Sequence, residues 1–395
     1  MTDRLYYRDP ALLEFDATIL SSVVRDGRYV TTLDRSAFYP TSGGQLFDTG
    51  SLNGVRIVDV VDAEGSVHHI SETSVGKPGD QVAGKVDQPR RHMHRQQHTA
   101  QHILSQSFIK LFGFETVSVH LGDDYGSIEL DQSSITTAQL DQAERFAADV
   151  ISCAWPVTIL FVKGSEIESI PLRKIPTRDG ELRVIKIGEF DYSACGGTHC
   201  GNTSEVGLIK ITGWEKLRGH VLVNFLAGVQ AVDDYKRRFE ATDALTKSLT
   251  CGVSDLVAKV DKLATEGRSL RKSLAALQKE LLPTRVANYA GVAIVVSGRK
   301  LVVSAVDDMD GSSASQLGSA VAEEISGVAL LVADGKLLIA VGQTTGLHAG
   351  EIAKSLSAIL GLRGGGSNKA AQLGGADPAK LQEYQAALLS ILGHA

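Results

Sequence analysis

Two short clusters constrain this chain more than anything else in it: His98-Thr99-Ala100-Gln101-His102 and, roughly a hundred residues later, Cys195-Gly196-Gly197-Thr198-His199. Two imidazoles at i and i+4 on a helix leave the same face and can reach one ion. A Cys and a His four apart can do so from a tightly folded loop, which Gly196-Gly197 permits. Together they offer one thiolate and three imidazoles, a ligand set of borderline softness that suits zinc. An H-x-x-x-H alone is commonplace on helices. The two halves with the di-glycine point to one metal site, so the fold has to bring a helix and a distant loop together.

Composition narrows the class. With 395 residues, 43% hydrophobic and 22% charged, the chain is long enough for two or three domains of ordinary soluble type. No run of about twenty apolar residues occurs, so neither a signal peptide nor a membrane span is expected. Cys153, Cys195, Cys200 and Cys251 are too few and scattered for a disulfide framework, which suits a reducing cytoplasm. A net charge of −6 argues against a wholesale nucleic-acid coat and leaves room for a local basic patch.

Patterning along the chain predicts an α+β protein in four parts. Residues 1–87 read as a small β-barrel: strands at 17–20 and 29–33 flank an Asp26-Gly27 turn, and strands at 55–60 and 67–70 flank Glu64-Gly65. Residues 88–227 read as the α+β domain that carries both clusters. Asp87 and Pro89 open a helix that Gly113 closes, with His98 and His102 in its middle. Thr136 and Gln139 form a capping box, and strands follow at 157–162, 182–187, 206–212 and 221–226.

Residues 228–289 read as a helical, coiled-coil-like arm. Leu256, Val260, Leu263, Gly267, Leu270, Leu274, Leu277 and Leu281 keep a 4-3-4-3 spacing, with Ser254-Asp255 starting that helix and Pro283 ending it. The arm either folds back as an αα-hairpin or pairs with a second chain. Residues 290–395 alternate strands (292–296, 301–306, 328–332, 336–341) with helices (314–324, 351–360), as in a compact α/β domain. Gly364-Gly365-Gly366-Ser367-Asn368-Lys369 is either a plain loop or a flexible, amide-rich phosphate cradle.

The phrase from Gln97 to Leu104, with Cys195-Gly196-Gly197-Thr198-His199, resembles the editing domain of alanyl-tRNA synthetase, and still more the freestanding AlaX proteins that carry it. Phe38-Tyr39-Pro40-Thr41-Ser42-Gly43-Gly44-Gln45 looks like the family's Gly-Gly-Gln element, and the tail around Gly364 is similar to the DHH-associated C-terminal domain of the long AlaX form. The motifs stand in the family's order across nearly the whole chain. One departure is Ser36, where the family often has Thr. The aminoacylation half does not precede the β domain, so the chain is not expected to charge tRNA.

The resemblance implies a cytoplasmic trans-editing hydrolase. It would deacylate alanine tRNA mischarged with serine, and with glycine, through one zinc per chain held by His98, His102, Cys195 and His199. A site selective for alanine cannot strongly reject either amino acid, so a second site has to remove them. Four protein ligands ordinarily describe a closed structural zinc; a functional metal needs one loose ligand or an expanded coordination. His98 and His102 are expected to act in catalysis. Gln45 is expected both there and, beside Gly43 and Gly44, in binding substrate, where Ser36 is a candidate partner for the serine hydroxyl. Arg90, Arg91 and Arg95, with His92 and His94, form a basic patch suited to acceptor-stem phosphates.

The seam and the C-terminal domain are expected to add tRNA affinity or assembly, with a homodimer favoured. Three rival classes differ at definite residues. A threonyl-type editing domain would share the ligands but not the Gly-Gly-Gln phrase. A zinc-stabilised RNA-binding protein would have lost hydrolysis. A DHH phosphoesterase needs an Asp-His-His motif, which this sequence lacks.

Overall fold

A computed structural model describes residues 1–63, 65–174 and 180–393; Glu64, in the second expected turn, lies outside them. The chain divides into two compact units, Met1–Ser248 and Leu249–Ala395.

The first unit begins with a β layer. It holds strands β1 (Asp3–Arg4), β2 (Glu14–Arg25), β3 (Arg28–Leu33), β4 (Arg35–Ser36), β5 (Gly50–Leu52), β6 (Val55–Ala63), β7 (Ser66–Ser71) and β8 (Gln81–Val86), and along β8 and the first half of β2 buried residues alternate with outward ones. Six of them pair in the ring β2-β3-β7-β6-β5-β8, and β8 returns to the first half of β2 to close it. Asp26 and Gly27 take positive φ, as a tight two-residue hairpin requires. Phe15, Ile19, Leu33, Phe38, Ile57 and Val82 fill the interior. β1 and β4 pair in parallel beside the ring.

The ring leads into α1 (Gln88–Phe112), which Gly113 caps in the left-handed conformation. Strands β9 (Thr116–Leu121) and β10 (Gly126–Leu130) follow, then α2 (Thr137–Ser152), whose capping box joins Thr136 to Gln139. After them come β11 (Val157–Val162), β12 (Leu182–Ile187), β13 (Asp191–Ala194), β14 (Ile209–Lys216), β15 (Val221–Ala227) and α3 (Gly228–Leu249). The sheets β14-β15-β10-β9 and β11-β12-β13 enclose α1 and α2 over a shared core that includes Ile103, Leu104, Phe108, Ile128, Ile185 and Phe225. Val206, expected in a strand, ends a short 3-10 turn, and the strand starts at Ile209. The 25-residue α1 is the spine of this domain, and most of its middle turns are buried on every side.

In the second unit, α4 (Leu256–Gly291) continues through Pro283, which was expected to end it. A proline inside a helix removes one backbone bond and crowds the preceding turn. Here Leu282, Val286, Tyr289 and Ala290 pack, partly buried, onto the core under the sheet, and that contact carries the helix onward. Leu263, Leu270, Leu274, Leu277 and Leu281 of the heptad seam remain exposed. The sheet runs β16-β17-β18-β19-β21-β20, built from β16 (Ile294–Val296), β17 (Arg299–Ala305), β18 (Val328–Ala333), β19 (Lys336–Val341), β20 (Arg363–Gly366) and β21 (Ala370–Gly374). Helix α5 (Gly311–Ile325) covers one face; α6 (Ala349–Leu360) and α7 (Leu381–Gly393) cover the other. Val-Ala-Leu-Leu-Val-Ala of β18 is buried throughout because both faces are covered. Residues 364–366, expected as a loop or cradle, pair with Leu373, Gln372 and Ala371 as an edge strand.

Candidate metal centre and its cavity

The helix and the loop meet. The ligating atoms of His98, His102, Cys195 and His199 lie within 4.8 Å of one another, and three of the four residues are buried. Cys195 Sγ stands 3.3 Å from both His98 Nε2 and His199 Nε2. A tetrahedral zinc would separate such ligands by about 3.4–3.8 Å, given Zn–N and Zn–S bonds of ~2.1 and ~2.3 Å. The arrangement therefore fits a metal ion, and zinc is compatible with its donors.

The other ring nitrogen of each imidazole is engaged. His98 Nδ1–H donates to Gln45 Oε1 at 2.8 Å, which leaves Nε2 for a metal. His102 Nδ1 faces Asp191 Oδ2 at 3.0 Å, and Ser193 Oγ donates to the same carboxylate. His199 Nδ1 lies 3.3 Å from Thr99 Oγ1, which also accepts the Cys200 N–H. Such outer partners fix ring orientation and tautomer. Burial alone would raise the Cys195 thiol, but His98, His199 and His102 hold it well below its ordinary value, as a thiolate ligand requires. Burial and the neighbouring His98 push His199 well below its usual value, toward neutral imidazole. Burial opposes His102, whose net shift is upward because of Asp191 and Cys195. Cys200 is not among the four, and burial pushes its thiol up to about 12.

The loop is anchored from several directions. Arg183 Nε donates to the Tyr7 carbonyl at 2.9 Å and Nη1 to the Cys195 carbonyl. Arg95 Nε donates to the His199 carbonyl at 2.8 Å. The Gly197 N–H donates to Cys195 Sγ at 3.3 Å. Neither Gly196 nor Gly197 takes positive φ. What the loop needs is space at Gly197, where a Cβ would fall 2.1 Å from His98 Cε1; at Gly196 it would make only ordinary contact with Tyr7.

The cluster opens into a cavity of about 310 Å³. Tyr39, Ser42 and Gly43 form one wall, and α1 supplies Gln101 and Ile109 beside the two histidines. Thr116 and Val119 of β9 line it too, as do Arg173 and Lys174. Gln101 Nε2 donates to Ser105 Oγ at 2.8 Å, and Thr116 Oγ1 donates to the same oxygen.

Several expected roles change with this geometry. Ser36 does not line the cavity. It is buried on the barrel side, where its hydroxyl donates to His69 Nε2 at 2.7 Å and accepts the Phe38 N–H. Gln45 is fully buried: besides His98 it accepts the Thr198 N–H at 3.1 Å and donates to Thr198 Oγ1 at 3.0 Å. Its amide ties ligand helix to ligand loop, and it is not among the residues that line the cavity. Gly43 lines the cavity, whereas Gly44, at φ +85°, lets the loop approach β9; a Cβ there would meet the Val119 carbonyl at 2.7 Å.

The basic patch is turned inward. Arg91 is 1% exposed and paired with fully buried Asp48, which also accepts the Tyr39 N–H. Arg90 pairs with Asp123 and donates to the Phe47 carbonyl, and Arg95 pairs with Glu205. Charge partners far along the chain neutralise all three. Sequence reasoning missed Asp191, Gln101, Arg183 and the Arg173-Lys174 pair. Only the basic dipeptide left a signal that could have been noticed.

Comparison with known proteins gives this geometry a family context. The family model for the threonyl and alanyl tRNA synthetase second additional domain matches residues 182–221, and the DHHA1 domain model matches 298–394. Alanyl-tRNA editing protein AlaX-L of Pyrococcus horikoshii is 28% identical over 100% of this chain and 99% of its own length. An alanyl-tRNA editing protein of Mus musculus is 34% identical, covering 69% of this chain and 66% of that one. The alanine–tRNA ligase of Methanosarcina barkeri is 30% identical over 100% of this chain, which spans 44% of the ligase. Matched end to end by an editing protein of nearly its own extent, the chain is an AlaX-like relative of the alanyl-tRNA editing proteins.

Proposed function

We propose that the chain is an aminoacyl-tRNA hydrolase that removes serine, and also glycine, from mischarged alanine tRNA, with one zinc per chain held by His98, His102, Cys195 and His199. The observation that carries the reading is the four-donor cluster at the wall of a cavity sized for an amino acid and its ester. When bound, zinc supplies Lewis acidity toward an ester carbonyl or water. The protein's own part is orientation: Gln45, Asp191 and Thr99 hold three imidazoles, while Arg183 and Arg95 hold the loop carbonyls.

Discrimination for a hydroxyl falls to Gln101 and Thr116, which line the cavity, because Ser36 is bonded elsewhere. A site that hydrogen-bonds a substrate hydroxyl disfavours the analogue lacking it, by up to about 10⁴-fold. The exposed seam on α4, with Leu270 70% and Leu274 55% accessible, supports a homodimer formed along that helix. No helix among the described residues is long and apolar enough to cross a membrane.

The test is release of amino acid from seryl-, glycyl- and alanyl-charged alanine tRNA, with and without a chelator. Serine release should be fastest, alanine release slowest, and chelation should abolish both. Equal rates on all three esters, or full activity after verified zinc removal, would sink the reading.

A further inference from the structure

The cavity has a charge that the ester chemistry does not explain. Two cationic side chains, Arg173 and Lys174, line it beside β13, against the single carboxylate of Glu115 in the same lining. The Arg173 backbone N–H donates to the Tyr192 carbonyl at 2.8 Å, which fixes the residue against that strand. Its guanidinium Nε lies 3.8 Å from Asp191 Oδ1, beyond hydrogen-bond range. Its Nη1 is buried and has no hydrogen-bond partner among the described residues. Arg173 thus has one long ion pair, and Lys174 has none among the described residues. A buried donor without a partner is costly, and a guanidinium presents its donors as a fork suited to two oxygens.

The contrast with α1 is informative. Arg90, Arg91 and Arg95 each meet a carboxylate at 3.1 Å or less, whereas Arg173 has only a 3.8 Å approach to Asp191, which also faces His102. An anionic ligand completes Arg173 and Lys174 best, since it matches both donors and charge. An aminoacyl ester brings an ammonium group, which has the wrong sign. What the 3′ end of a charged tRNA does bring, one sugar away from the ester, is the phosphodiester joining its last two nucleotides.

We propose that Arg173 and Lys174 form a phosphate subsite for that terminal phosphodiester, Arg173 by its two-pronged donors and Lys174 as a point charge. The inference rests on the proposed action on aminoacyl-tRNA and adds to it a residue pair that places the ester beside the metal centre. The pair lies outside the ligand set and outside the helical patch read from the sequence.

The experiment is a cycle between protein and RNA. Full-length protein, wild type and the variants Arg173→Ala, Arg173→Lys and Lys174→Ala, is titrated with deacylated alanine tRNA. A second tRNA carries a neutral methylphosphonate at the last linkage. Zinc content and circular dichroism of each variant establish that it is folded. In the wild type, neutralising the linkage should weaken binding about tenfold, the usual scale of one charge-assisted hydrogen bond. Arg173→Ala should weaken binding of the natural tRNA by a similar factor and leave the methylphosphonate tRNA unaffected. Arg173→Lys should fall between, and Lys174→Ala should show the same pattern with a smaller factor. Losses that multiply across the cycle, or a wild type indifferent to the methylphosphonate, would overturn the subsite. Hydrolysis of the seryl ester by the wild type is scored separately. A wild type that binds with this pattern but releases no serine would keep the subsite and refute the hydrolase reading.

Discussion

The metal centre and the seam of α4 are both written into the sequence as spacings, and they end in opposite environments. His98 and His102 finish among partners drawn from the barrel loop, from β13 and from the loop after it. Leu263, Leu270, Leu274, Leu277 and Leu281 finish exposed. A four-residue spacing fixes which face a side chain leaves and nothing about what it meets. At the centre, residues up to about 150 positions away supply what is met; at the seam, the described residues supply little.

The contrast predicts strong effects around the centre and weak ones along the seam. On metal binding the largest should come from Gly197→Ala, because its Cβ would overlap the His98 ring. Zinc affinity should fall by about ten- to a hundredfold, the scale seen when a ligand loses its alignment, while Gly196→Ala should retain it within a few-fold. Competition with a chromophoric chelator measures both. Equal affinities would remove Gly197 from the architecture of the centre.

Next is Arg91→Ala, which leaves Asp48 buried beside Tyr39 without its charge partner. Removing one member of a buried pair costs about 3–5 kcal/mol. Urea unfolding should show a loss of that size, and a loss below about 1 kcal/mol would mean that the guanidinium is dispensable to the loop.

His69 tests the barrel side of the same loop. Burial pushes it down to about 4, and its neutral form is satisfied by the Thr31 carbonyl at Nδ1 and the Ser36 hydroxyl at Nε2. The unfolded chain therefore takes up a proton near pH 6.5 and the folded chain only near 4. The contribution of His69 is fully present above pH 6.5, falls as the pH is lowered through that window, and is lost by about pH 4. Its scale is roughly 3 kcal/mol. Stability measured at pH 7 and at pH 4.5 should differ less in His69→Gln than in the wild type. An unchanged difference would show that other groups set the acid limb.

The smallest effect on folding belongs to the seam. Leu270→Lys with Leu274→Lys alters exposed positions, so stability at concentrations where the chain is monomeric should change by less than about 0.5 kcal/mol per site. Sedimentation should nevertheless show loss of the dimer. A large stability loss in the monomer would mean that the seam packs within one chain.

Much of the architecture was legible because it is local. Apolar period, Asp87, Pro89 and Gly113 delimit α1, the Thr136–Gln139 box starts α2, and the Val-rich runs become the strands of the second unit. The clusters His98-x-x-x-His102 and Cys195-x-x-x-His199 also contain enough donor chemistry to name a metal site before any fold is known.

The assignment of each polar side chain was decided only in three dimensions. Ser36, Gln45 and Arg91 each have a reasonable exposed role on paper. Each is instead satisfied by His69, by His98 and Thr198, or by Asp48, because a buried polar group without a partner costs more than the fold can tolerate. The glycine run at 364–366 became an edge strand because β21 supplies its ladder, and α4 passed Pro283 because Val286, Tyr289 and Ala290 beyond it pack, partly buried, against the core. Period and spacing are properties of neighbours in the chain. Hydrogen-bond partners, charge partners and the placement of Arg173 and Lys174 on the cavity wall arise between segments that only folding brings together.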